Sequence, residues 1–111
     1  MKTMIPVKTL GNGFAMPVFG LGTWRMGGVL ERDLDNDDKA DIEAIKRAID
    51  NGITHIDTAE IYADGHTETL MGQAIKNYKR EDLFLVSKVK VTNLKYDDLI
   101  NSAKNSLKRL G

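Results

Sequence analysis

Among the 111 residues, a carboxylate, a phenol and an amine stand out for what they could do together: Asp57, Tyr62 and Lys88. A lysine beside a phenol favours the phenolate and lowers the phenol's pKa. An aspartate next to that lysine keeps it charged and positioned. A tyrosine so placed donates a proton to a carbonyl oxygen while the carbon receives a hydride. Taken singly, each has a plainer reading. Asp57 could end a strand and satisfy loop amides, Lys88 could reach to solvent along an apolar stem, and Tyr62 could pack a loop. At one end of one sheet, the three together indicate a site.

Strand periodicity is what brings them together. In Ile53-Thr54-His55-Ile56-Asp57-Thr58, residues 53, 55 and 57 point to one face and residues 54, 56 and 58 to the other. In Leu83-Phe84-Leu85-Val86-Ser87-Lys88-Val89, Phe84, Val86 and Lys88 share a face. That near-continuous apolar run predicts a strand buried on both sides in a parallel sheet. Asp57 and Lys88 then stand near the C-terminal ends of neighbouring parallel strands, where α/β folds place their sites, with Tyr62 in the loop leaving the same end.

The remaining elements follow from turn signals and helical spacing. Residues 7–16 predict a hairpin turning at Gly11-Asn12-Gly13, and Val18–Thr23 predicts a strand whose two glycines sit where side chains would crowd a neighbour. The stretch from Arg25 to Asp38 reads as a polar loop, with its five acids from Glu31 onward a solvated run. Ile42, Ile45 and Ile49 mark a first helix stopped by Asn51-Gly52. Leu70, Met71, Ala74, Ile75 and Tyr78 mark a second after the turn at Ala63–His66. A third spans about Tyr96 to Leu110, with Leu99, Ala103, Leu107 and Leu110 as its inner stripe. Strands beginning near 18, 53 and 83 make strand-plus-helix units of roughly 30 residues, which implies right-handed βαβ crossovers. The fold class is α/β, in a single domain.

Composition narrows the function. Sixteen basic residues balance sixteen acidic ones, which argues against a nucleic-acid binder. The sequence has no cysteine, so disulfides, thiol nucleophiles and cysteine-based metal sites are excluded, and a reducing, cytoplasmic setting is expected. No apolar run of about 18 residues is present to suggest a membrane span. The first residues lack the apolar stretch of a signal peptide.

Met16-Pro17-Val18-Phe19-Gly20-Leu21-Gly22-Thr23-Trp24 and Gly52-Ile53-Thr54-His55-Ile56-Asp57-Thr58-Ala59-Glu60-Ile61-Tyr62 closely resemble the aldo-keto reductases. Gly65-His66-Thr67-Glu68 through Gly72, and Leu85-Val86-Ser87-Lys88-Val89, extend the resemblance in order and spacing over essentially the whole chain. The resemblance implies the N-terminal part of a (β/α)8 TIM barrel, a β-hairpin followed by three βα units, with NADPH extended across the C-terminal face. It implies NADPH-dependent reduction of aldehydes or ketones to alcohols. Tyr62 would be the general acid, Lys88 would tune it and Asp57 would orient Lys88. Gly22, Thr23 and Trp24 would line the nicotinamide and substrate pocket, Arg25 would lie near the cofactor, and Asp57 would also meet the nicotinamide ribose. The family's fourth catalytic residue, a histidine at the end of the fourth strand, has no counterpart, since His55 lies inside the second strand and His66 begins the second helix.

A barrel of this kind takes about 250 residues, so the chain is expected to be a truncated, incomplete barrel, inactive by itself. Open strand edges then predict self-association or a complementing C-terminal fragment as partner, alongside the small carbonyl substrate of a full-length parent. Two other classes compete. One is a non-catalytic, self-assembling module. The other is a metal-dependent barrel hydrolase using His55 and Asp57, two apart on one strand face. For the aldo-keto reductase reading the expected site holds no metal.

Overall fold

In the computed structural model, which describes residues 4–111, two short sheets and three helices are arranged around one apolar layer. The hairpin pairs β1 (Val7–Thr9) with β2 (Ala15–Pro17), Lys8 opposite Met16. Gly13 turns it with φ at 88°, and the Asn12 side chain accepts the Phe14 N–H at 3.1 Å. A second sheet runs β3 (Leu21–Gly22), β4 (His55–Asp57), β5 (Phe84–Val86), all parallel.

Register explains which side of this sheet is core. Leu21, Ile56 and Leu85 stand in one row across the three strands. Ile56 is fully buried, and Leu21 and Leu85 pack beside it against α1 (Asp38–Asp50) and α2 (His66–Ile75) through Ile45, Ile49, Met71, Ala74 and Ile75. The next row, Gly22, Asp57 and Val86, faces the opposite side. There the His55 ring meets the edge of Phe84 at 4.8 Å.

The first parallel strand is shorter than expected. Val18 and Phe19 are exposed bends, because the Val18 N–H is still hooked to Pro6 O at 2.9 Å as a continuation of the hairpin. Pairing with β4 begins only at Leu21. Gly20 is where crowding matters: a Cβ there would come within 2.5 Å of the His55 carbonyl, whereas one on Gly22 would meet nothing within 4 Å. The run from Leu83 is also only half-buried, since β5 is the edge of the described sheet and helices cover one of its faces.

The acidic stretch is not merely solvated. Asp37 caps α1 by accepting the Ala40 N–H, and Asp41 Oδ2 accepts both the Gly27 N–H and the Asn36 amide. Asp38 lies 2.8 Å from His66 Nε2. These bonds make the Arg25–Asp37 loop part of the framework.

The largest departure concerns α3 (Tyr96–Leu110). The helix forms where the spacing predicts it, but its stripe is only partly covered: Leu99 and Leu107 are 40% and 68% exposed, Ala103 is exposed too, and only Leu110 reaches the core, while all four line a groove beside Ser87–Val89. Between and beside these residues Ser102 is buried, and Ser106 and Arg109 are partly buried. Beside the stripe, α3 meets Glu68 of α2, whose side chain has no exposure at all. Its carboxylate accepts from Arg109 Nη2 at 2.7 Å, Arg109 Nε at 2.9 Å, Ser106 at 3.2 Å and Ser87 at 2.8 Å. A buried carboxylate without such partners would be prohibitive, so these bonds fix where α3 docks on α2. Gly72 permits the close approach, because a Cβ there would run into the Arg109 carbonyl. No helix of the described residues is long and apolar enough to cross a membrane.

Candidate active site

The C-terminal ends of β3, β4 and β5 lie side by side, and the expected trio gathers there. Lys88, two residues beyond β5, places Nζ 2.8 Å from Asp57 Oδ2 and 2.7 Å from the Thr58 carbonyl. The same Nζ lies over the Tyr62 ring, 5.3 Å from its centroid. The ammonium is thus held by one full charge, one carbonyl dipole and one aromatic face. The Asp57 and Lys88 side chains are 42% and 47% exposed, so water has access to the pair.

Main-chain bonds set this geometry. Thr23, fully buried, gives both its N–H (3.1 Å) and its hydroxyl (2.9 Å) to the Asp57 carbonyl, clamping the end of β4. Beyond the strand ends the β4–β5 ladder continues through Thr58 N–H to Val86 O at 2.8 Å and Glu60 N–H to Lys88 O at 3.0 Å. Tyr62 then opens a 3-10 turn, Tyr62–Gly65, in which Ala63 and Asp64 adopt left-handed φ of 50° and 53°. The turn is tied down by Ala63 N–H to Val29 O at 2.7 Å.

The loop after β3 supplies the rim. Trp24, 44% exposed, sits with its ring centroid 4.9 Å from that of Tyr62, tilted by 55°. Arg25 is exposed with φ at 77°, and Gly22 leaves open space above the strand end. The structure therefore brings together Trp24, Asp57, Tyr62 and Lys88, with Gly22 and Arg25 at the margin. Thr23 lies beneath them, its hydroxyl committed to Asp57. His55 is elsewhere: its Nδ1 is 2.9 Å from Pro17 O. Among the described residues no three His, Asp or Glu side chains converge as a metal cluster.

Residue spacing missed two acids that serve this site. The Glu60 carboxylate accepts the Lys90 N–H at 2.7 Å and the Asn93 amide at 3.1 Å. Burial would push its carboxyl up, but the Lys90 N–H and the Ser102 and Asn93 side chains outweigh that and hold it below the usual range. Asp38 anchors the Trp24 loop to α2. The Asn36 amide, then His66 and Arg32, overcome its burial and hold it below 3.8. Glu68 had a visible signal: with Gly65 and Gly72 it falls at i, i+3 and i+7, the face α3 packs on.

Comparison with known proteins agrees over nearly all of the chain. The profile of the aldo/keto reductase family matches residues 18–111. Methylglyoxal reductase YeaE of Escherichia coli K12 is 41% identical over 96 residues, covering 86% of this chain and 32% of that protein. Aldo-keto reductase YhdN of Bacillus subtilis 168 is 39% identical over 108 residues, covering 89% of this chain and 32% of that protein. Among solved structures, the thermostable aldo-keto reductase Tm1743 superposes with a TM-score of 0.89 at 53% identity, over 94% of this chain and 38% of the other. An aldo-keto reductase from Klebsiella pneumoniae, solved with NADPH, superposes with a TM-score of 0.79 at 38% identity, over 97% of this chain and 36% of the other. The chain spans about a third of the length of the curated relatives it matches.

Proposed function

The chain belongs to the aldo-keto reductase family, and from that premise we propose that it carries the proton-delivering part of a site that reduces small aldehydes or ketones to alcohols with NADPH. The observation that carries this is Lys88 Nζ, held between Asp57 and the Thr58 carbonyl and laid on the Tyr62 ring. Tyr62 gives its phenolic proton to the carbonyl oxygen, the Lys88 ammonium lies over the ring that gives it up, and Asp57 keeps Lys88 in place. The residues fit the nicotinamide end of the cofactor. Gly22 leaves a strand end that no side chain fills, Trp24 offers a flat apolar face, and the half-exposed Asp57 carboxylate can accept from a ribose hydroxyl. Arg25 is the nearby cation for a phosphate. Bound there, NADPH supplies the hydride.

Neither His55 nor His66 is free for the site, since one is bound to Pro17 O and the other to Asp38, so turnover awaits a histidine from outside these residues. Relatives named methylglyoxal reductase suggest a small dicarbonyl or aldehyde substrate. The test is a chimera in which these residues replace the matching third of the E. coli relative. It should oxidise NADPH with methylglyoxal, and Tyr62→Phe should slow it by about 100-fold or more, within the range removed with a general acid. An active chimera indifferent to Tyr62→Phe would overturn the assignment.

The partner reading rests on a separate observation. The edge of β5 adjoins a groove of about 240 Å³ lined by Val89, Leu99, Ala103, Leu107 and Leu110. We propose that further strands and helices of a barrel, from a complementing polypeptide or from a second copy, cover it in the cytoplasm. Light scattering tests this for the chain alone: a strictly monomeric, compact species would speak against self-association.

A further inference from the structure

We infer that Glu60 is a positioning residue for the Tyr62–Lys88 pair, a side-chain clamp that fastens the segment carrying the phenol to the segment carrying the amine. This rests on the reading of those two residues as the proton-delivering pair. Glu60 lies between Asp57 and Tyr62, on the chain leaving β4. Its main-chain N–H donates to the Lys88 carbonyl at 3.0 Å, and its carboxylate accepts the Lys90 N–H at 2.7 Å and the Asn93 amide at 3.1 Å. One residue of the β4 segment therefore grips the β5 segment on its own carbonyl row, two residues further on, and in the 3-10 turn Val91–Asn93.

The clamp is needed because β5 stops at Val86, so Lys88 has no strand pairing of its own beyond these bonds. Lys88 Nζ must reach both Asp57 Oδ2 and the Thr58 carbonyl while staying over the Tyr62 ring, three requirements on one flexible four-carbon stem. They are compatible only if its Cα is fixed relative to β4. Asp57 grips the tip of Lys88, and Glu60 grips its root. The carboxylate suits the task, since an ionised acceptor forms shorter and stronger bonds to N–H donors than a neutral one.

Competitive lysine acylation of the 111-residue chain, read residue by residue by mass spectrometry, tests this without requiring turnover. An Nζ tied to two acceptors is acylated more slowly than a solvated one. Glu60→Ala should raise Lys88 labelling about threefold relative to Lys46 and Lys79, roughly the loss of one hydrogen bond's worth of protection. Glu60→Gln keeps an acceptor for the Lys90 N–H and should return Lys88 to within about 1.5-fold of the parent chain. A loss of stability alone would raise all lysines together and would not be rescued selectively at Lys88. Unchanged Lys88 labelling in a folded Glu60→Ala chain overturns the proposal, as does a Glu60→Gln chain that behaves like Glu60→Ala. Should Glu60→Ala not fold, Asn93→Ala removes one donor while leaving Glu60 in place. It should raise Lys88 labelling alone, and no change would overturn the proposal equally. Failure of carbonyl reduction in the chimera would leave this readout untouched, so the two inferences fail separately.

Discussion

Breaking the Glu68–Arg109 pair should be strongly destabilising, and removing its two halves should differ in cost, Arg109 the costlier to lose. Glu68 has no solvent exposure, while the Arg109 side chain is 27% exposed. Arg109→Ala strands a fully buried carboxylate with two serine hydroxyls, which belongs in the range of about 3–5 kcal/mol for a broken buried pair. Glu68→Ala leaves a guanidinium that can turn partly to water and a Ser87 already exposed, so its cost should sit near about 2–3 kcal/mol. The double variant should cost less than the sum by at least about 1 kcal/mol, as groups in direct contact couple. Urea unfolding followed by circular dichroism at the helix band measures all four corners of the cycle. Additive losses, or a Glu68→Ala cost greater than that of Arg109→Ala, would refute the claim that the buried carboxylate depends on Arg109 for its pairing. A domain of this size has only about 5–15 kcal/mol of stability to lose, so the measurement is practicable in low urea.

Other outcomes follow from single contacts. Gly72→Ala should destabilise by about 1–3 kcal/mol, because its Cβ would run into the Arg109 carbonyl on a backbone that cannot yield. Leu107→Lys should change chain stability by less than about 0.5 kcal/mol in the same unfolding assay, since that leucine faces outward. The Tyr78 hydroxyl donates to Asp50 at 2.7 Å, and this bond, with burial, pushes the phenol up to about 12. The folded state therefore keeps the proton longer than the unfolded one, and stability complete below pH 10 should decline as pH rises toward 12. Tyr78→Phe should remove that decline in alkaline unfolding curves. Asp38 behaves in the opposite sense. Its folded value lies below 3.8, so its contribution is present above that pH and fades as pH falls through the folded value, an acid limb that Asp38→Asn should flatten.

Much of this was open to reading along the chain, for a physical reason: period and turn chemistry are local. Strand alternation put Asp57 and Lys88 on faces that could coincide, and the 2.8 Å contact between them is made once β4 and β5 pair in parallel register. Helical spacing located all three helices, α3 to the residue, and the loop from β4 carried Tyr62 to the same end. What the spacing could not supply was the meaning of acids whose partners lie far along the chain. Glu60 meets Lys90 and Asn93, Asp38 meets His66, and Glu68 meets Arg109, each across about 30 residues or more of sequence.

The docking of α3 shows the division most clearly. By period alone its leucines form the inner stripe, as hydrophobic burial ordinarily dictates. In the folded chain those leucines line a part-exposed groove beside Ser87–Val89, while α3 is docked on α2 through the buried Glu68 carboxylate, which is tolerated only because it is paired. Local sequence determined that a helix forms from Tyr96 to Leu110 and which of its faces is apolar. Only the tertiary structure decided what else holds the helix in place, because that depends on a charge 41 residues away that must be paired before it can be buried.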